Sequence, residues 1–239
     1  SFAQEKHPFL HEKTPMLVAK MIVAAALTLF GASGALGAPL SGRLFVIDPG
    51  HGARTPEGEA LNGGAVSASG LSEAAINLRV GEKVAALLRA DGARVVLTRS
   101  FLHPFRIGTI VRRDNRARAA LANRLGATAF IAIHCDSSKD PSRHGYSVFW
   151  LHRNSQTLAH NMRVALGALR LGESQFRQRE LAVTSEARVP AVLVELGFIS
   201  NPAQAALLRS RPFEDVEARA IQRALEQTFG VSSPYLGND

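Results

Sequence analysis

From Leu44 onward the chain alternates two kinds of text, short apolar runs and longer stretches with helical periodicity. The runs are Leu44–Ile47, Arg94–Leu97, Thr128–Ile133, Tyr146–Leu151 and Ala191–Val194. Between the first two, Leu71, Ala74, Ala75, Leu78, Val84, Leu87 and Leu88 fall near one helical face, which Gly92 closes. Ile107–Leu125 reads as a second helix closed by Gly126, Ser155–Leu169 as a third, and Val216, Ala220, Ile221, Leu225 and Phe229 mark a closing one. A strand that is apolar throughout must be covered on both faces. The pattern therefore predicts a single α/β domain over residues 40–231, a mostly parallel twisted sheet with helices on both faces. With 46% hydrophobic and 20% charged residues the chain has the material for such a core, which excludes a disordered or fibrous protein. Residues 232–239 are expected to form a loose tail.

The front end reads differently. Residues 1–15 are polar and form an N-terminal extension, as a misassigned start upstream of Met16 would produce. Residues 16–37 read as a signal peptide: Lys20, then the uncharged stretch Met21–Phe30, then small residues with a small-x-small cut after Gly37. An uncleaved anchor over residues 21–40 is the alternative, disfavoured by Gly31, Gly34, Gly37 and Pro39. The expected destination is outside the cytoplasmic membrane, in the periplasm or cell wall, with the membrane touched only through the signal segment. Residues 1–37 hold three Lys and two Glu, so their removal takes one unit from the net charge of +8. A basic chain suits an anionic partner. No Arg/Lys block is interleaved with aromatics, so nucleic acid is not expected.

A single cysteine, Cys135, excludes a disulfide framework and a multi-cysteine zinc knuckle, so any metal site must use His, Asp and Glu. In open α/β sheets, ligands bind outside the carboxyl ends of the strands. His51 follows the first strand within Asp48-Pro-Gly-His-Gly52, His134 ends the third and Glu195 ends the last, while Glu73 opens the first helix. Each alone has a plainer explanation. A lone His at a strand end is more often hydrogen-bonded or solvated, Glu73 could serve the helix dipole beside Ser72 as cap, and Glu195 could pair with an Arg. Together they fit a catalytic zinc site. His51, Glu73 and His134 would supply three ligands and leave one position for water. Glu195, after Val192-Leu-Val, would be a general base of raised pKa. Gly50 and Gly52 would let the backbone turn sharply at His51. Cys135 should face the other side of its strand from His134, as a small buried apolar residue. His103, His144, His152 and His160 have no such placement and read as surface residues.

The same residues carry a resemblance. Val46–Gly52, Gly70-Leu-Ser-Glu73 with Asn77-Leu78, Val95–Arg99, Arg118 with Ala122-Asn123, Ile131–His134 and Pro190–Asn201 resemble the zinc-dependent N-acetylmuramoyl-L-alanine amidases of the type-3 (AmiC-like) family, from about Leu44 to Phe229. The resemblance implies one Zn²⁺ per chain on His51, Glu73 and His134, with Glu195 as the catalytic glutamate. It also implies hydrolysis of the amide between N-acetylmuramic acid and the L-alanine of the stem peptide in peptidoglycan. The basic charge suits a wall polymer with carboxylate-bearing stems. Arg179 and Asn77 are candidate substrate contacts; for Arg179 a buried ion pair is the alternative, and for Arg118 a structural ion pair is preferred.

The chain departs from the family pattern at Ala53, in the longer loop Arg54–Gly64, and at Cys135-Asp136, where Ala-Asn is usual. Asp136 reads as a loop acid more readily than as a partner of the site. Some family members insert a helix that blocks the zinc between the second His and the catalytic Glu. His134 and Glu195 are 61 positions apart, room for a strand, a helix and a short loop. A monomer needing no activator to open its site is expected. The alternatives are another secreted zinc amide hydrolase on this scaffold and a non-catalytic wall-binding relative. A nucleotide binder lacks the spaced glycines that cradle phosphate, and a serine hydrolase lacks a Gly-x-Ser-x-Gly elbow.

Overall fold

The structure, a computed structural model, describes residues 38–54, 60–101 and 111–230. The expected extension (1–15), signal peptide (16–37) and tail (232–239) lie outside the described residues, as do His103 and the first turn of the helix expected from Ile107.

Six strands form one sheet in the order β4-β1-β5-β8-β6-β7. They are β1 (Leu44–Pro49), β4 (Arg94–Leu97), β5 (Ala129–Asp136), β6 (Tyr146–Trp150), β7 (Glu173–Gln178) and β8 (Ala191–Phe198). Strands β4, β1, β5 and β8 are parallel; β6 runs antiparallel to β8, and β7 is parallel to β6. A two-stranded hairpin, β2 (Ala53–Arg54) with β3 (Ala60–Asn62), stands apart from the sheet. The helices are α1 (Glu73–Ala90), α2 (Val111–Arg124), α3 (Gln156–Gly167), α4 (Ala182–Ser185), α5 (Pro202–Leu208) and α6 (Arg211–Phe229).

The alternation of side chains along each strand divides the core into two layers. Phe45, Ile47, Ile131, Ile133, Val192 and Val194 face the larger layer, with Ile76, Val80 and Val84 of α1, Leu158 and Met162 of α3, and Phe213, Val216 and Ile221 of α6. Val46, Phe130, Ala132, Phe149 and Leu193 face the smaller layer, closed by Ala119 and Ala122 of α2 and Val183 of α4. Each fully buried Ile, Leu, Val or Phe contributes about 1.5–3 kcal/mol of hydrophobic stabilisation. No helix among the described residues is long and apolar enough to cross a membrane.

The strand order reverses beside β1. One connection from it leads to β4 on one side, and its other neighbour is β5. Such a switch point leaves a crevice at the carboxyl ends of the two strands. Those ends are Pro49, just before His51, and the stretch holding His134.

Candidate active site

The turn after β1 is held against strain. His51 has φ 63, left-handed backbone that costs a residue with a Cβ about 1–2 kcal/mol. The sharp conformation falls on His51 itself as well as on a flanking glycine. Gly52 does take φ 67, but Gly50 serves another purpose: a Cβ there would collide with the His134 ring. Two buried arginines fasten the turn. Arg99 donates to Pro49 O (2.8 Å), Gly50 O (2.8 Å) and Ala74 O (2.8 Å), tying the turn to the start of α1. Arg118, 1% exposed, donates to Pro49 O (3.2 Å) and His51 O (3.1 Å). It also pairs with Asp48 (2.7 Å) and Asp114 (2.8 Å). Burial alone would lower the Arg118 pKa, but the two carboxylates outweigh it and raise it, so this guanidinium stays charged. Arg118 therefore has the structural role preferred for it.

Glu73 opens α1, and Ser72 before it makes no side-chain cap bond. Its carboxylate points across the crevice instead. Oε2 accepts from Ala65 N (2.8 Å) and Oε1 from Cys135 N (3.1 Å). Oε1 also lies 3.0 Å from His51 Nε2 and 3.2 Å from His134 Nδ1. Burial pushes the Glu73 pKa up, yet the two histidines and the backbone donor overcome this and hold it well below the usual carboxylate range. One ligand atom from each of His51, Glu73 and His134 lies within 4.8 Å of the other two. The rings meet edge to face at 4.7 Å. Gly64 (φ 71) backs onto the cluster: a Cβ there would come 2.5 Å from Glu73 Oε2 and 2.8 Å from His51 Cδ2.

This set fits a zinc ion. Two imidazoles and one carboxylate converge, the carboxylate is ionised, and glycine backbone walls the cluster where side chains would crowd it.

Asn77, one helical turn after Glu73, is fully buried. Its Nδ2 donates to Gly50 O (3.2 Å) and to Glu73 Oε1 (3.5 Å), and its Oδ1 accepts from Cys135 Sγ (3.6 Å). It thereby touches Glu73 and the neighbours of both histidines. Cys135 is buried on the opposite face from His134, and its thiol pKa is pushed up by burial and nearby carboxylates.

Glu195 stands in register with His134 on one side and Ser147 on the other. Its Oε2 is buried without a hydrogen-bond partner among the described residues, and so is the Ser147 hydroxyl oxygen. Burial raises the Glu195 pKa well above the ordinary value, with the charges of Asp136 and Glu73 adding and Arg179 opposing. Asp136 is thus no bystander. It is half-buried at the end of β5, and its pKa too is raised, by burial first, against Ser137 N, Arg143 and Arg179. In sequence Asp136 reads as a loop acid; its spacing of two residues from His134 is the available signal. Arg179 is exposed, with its guanidinium 5.1 Å from the Phe149 ring centroid. His144, His152 and His160 are exposed, as expected.

The sequence profile of the N-acetylmuramoyl-L-alanine amidase family matches residues 45–227. A "Probable cell wall amidase LytH" of Staphylococcus epidermidis is 30% identical over 193 residues, 80% of this chain and 60% of that protein. This chain thus spans about 60% of the length of the curated relatives it matches. Among solved structures, the amidase AmiC2 of Nostoc punctiforme is 29% identical with a TM-score of 0.66, covering 79% of this chain and 98% of that one. Ami1 from Mycobacterium smegmatis is 26% identical with a TM-score of 0.66, covering 80% and 98%. Over these residues the chain belongs to the N-acetylmuramoyl-L-alanine amidase family.

Proposed function

We propose that this protein hydrolyses the amide between N-acetylmuramic acid and the L-alanine of the stem peptide in peptidoglycan, with one zinc ion held by His51, Glu73 and His134. The observation that carries the reading is the convergence of those three ligand atoms beside a fourth, unligated carboxylate, Glu195. A zinc ion there would supply Lewis-acid polarisation of the scissile carbonyl and of a water molecule.

The chain's own residues do the rest. Glu195 takes a proton from the attacking water as its oxygen bonds to the carbonyl carbon, then delivers that proton to the departing alanine nitrogen as the C–N bond breaks. Burial keeps its proton affinity high enough for both transfers. The buried arginines Arg99 and Arg118 hold the His51 turn in its strained form, so no reorganisation is needed on binding. The protein would act outside the cytoplasmic membrane, in the periplasm or cell wall, as a monomer. The segment from His134 to Glu195 is filled by β6, α3, β7 and α4, which supports a site that opens without an activator.

The test is hydrolysis of purified peptidoglycan by the zinc-loaded protein. New L-alanine amino termini are expected, and chelation should abolish their release. Release of other termini, or of none, would refute the assignment.

A further inference from the structure

The face of the sheet that holds Glu195 continues past it toward the edge strand β7. Leu193, Phe149 and Arg177 are register partners across β8, β6 and β7, and Glu195, Ser147 and Gln175 are partners one pleat away. Alternation puts Gln175 and Arg177 on the same face as Glu195. Phe176, between them, points the other way and packs against Trp150 at 4.5 Å. Arg179 follows with the same parity, its guanidinium over Phe149. Both arginines are exposed, and neither has an ion pair among the described residues. The carboxylates that act on Arg179 electrostatically, Asp136 and Glu195, belong to the reaction centre.

We propose that Arg177 and Arg179 form a carboxylate subsite for the peptide on the amine side of the scissile bond, and so select anionic stems. This rests on the amidase reading. Of the substrate's two halves, the N-acetylated sugar is neutral and the peptide carries the carboxylates. Strands lie about 4.8 Å apart and residues rise about 3.3 Å, so β7 at Arg177 lies about 12 Å from Glu195. An extended peptide covers about 3.5 Å per residue. A carboxylate on its second or third residue therefore comes within reach of long arginine side chains on β7. Stacking on Phe149 pre-orders the Arg179 fork, which reduces the entropy lost on gripping a carboxylate.

The experiment uses the zinc-loaded protein and two soluble disaccharide–tripeptide fragments of peptidoglycan, identical except that the second residue bears a free α-carboxylate or its amide. The expected wild-type result is a KM about fivefold lower for the carboxylate form, the size of an exposed bidentate ion pair. In Arg177→Gln and in Arg177→Gln/Arg179→Gln the ratio of the two KM values should fall toward 1. Equal KM values for the wild type would overturn the subsite, as would a double variant that loses kcat alike on both fragments, since Arg179 would then act only on Glu195. Failure to cleave either fragment, when whole peptidoglycan is also untouched, would sink the amidase reading and the subsite with it; cleavage of both with one KM sinks the subsite alone.

Discussion

Single side chains carry the sharpest consequences. Glu195→Gln removes the proposed proton acceptor and leaves His51, Glu73 and His134 in place. It should bind zinc with wild-type stoichiometry and lose at least about 10²-fold in kcat, the usual scale for general acid–base catalysis, measured by metal analysis beside the amidase assay. Asp136→Asn tests the electrostatics. Asp136 raises the Glu195 pKa, so removing its charge should lower that pKa. In the proposed reaction Glu195 acts when ionised, so the acid limb of the kcat/KM profile should move to lower pH. A limb that stays put or moves upward would separate Asp136 from the site. Arg118→Met leaves Asp48 and Asp114 buried without their cation. A loss of about 3–5 kcal/mol is expected in denaturant unfolding, because an uncompensated buried charge costs more than a lost contact. The convergence of His51, Glu73 and His134, with Glu195 beside them, was legible in the sequence because each follows a strand or opens a helix. The partners that hold them were not. Asn77 reads from sequence as a polar residue available to substrate, and only the packing of α1 against β1 and β5 turns it inward.

At the scale of the element, the strands apolar on both faces declared themselves, and the polar one did not. β7, with the sequence Glu-Ser-Gln-Phe-Arg-Gln, is an edge strand that buries little besides Phe176, so no hydrophobic period marks it. The hairpin of β2 and β3 also escaped: at two and three residues its strands are too short to carry a period, and Gly52 N donating to Asn62 O closes it. Helix ends were missed by a few residues, as at Arg211, where the closing helix begins one turn before its first expected apolar residue. That helix also holds a group no pattern would place in a core. Glu217 of α6 is fully buried, and neither carboxylate oxygen has a hydrogen-bond partner among the described residues. Burial, helped by Glu214, raises its pKa well above the ordinary value. Its folded pKa exceeds its unfolded one, so the folded state holds the extra proton. Stability should therefore fall as pH rises from the unfolded carboxylate pKa of about 4.3 toward the folded value. Glu217→Met should flatten that decline and stabilise the protein at neutral pH by about 1–3 kcal/mol in chemical denaturation. A destabilised variant would mean that the carboxyl makes a needed contact.

For the whole molecule, topology explains why the site lies where it does. Reversal of the strand order beside β1 opens the crevice, β1 and β5 deliver one histidine each, α1 leans a carboxylate over the gap, and β8 brings Glu195 alongside. Because the ligands come from three separate segments, zinc should bind the folded chain and not the unfolded one. Saturation at about 100 times Kd would then add about 2.7 kcal/mol to unfolding, seen as a rise in Tm that chelator reverses. The measurement that bears most directly on the whole account is zinc stoichiometry, taken together with product analysis on purified peptidoglycan, for wild type, His134→Ala and Glu195→Gln. The account predicts one zinc and new L-alanine termini for wild type, no tightly held zinc and no product for His134→Ala, and one zinc without product for Glu195→Gln. A wild-type protein that releases L-alanine termini without zinc, or a Glu195→Gln variant with full turnover, would contradict it.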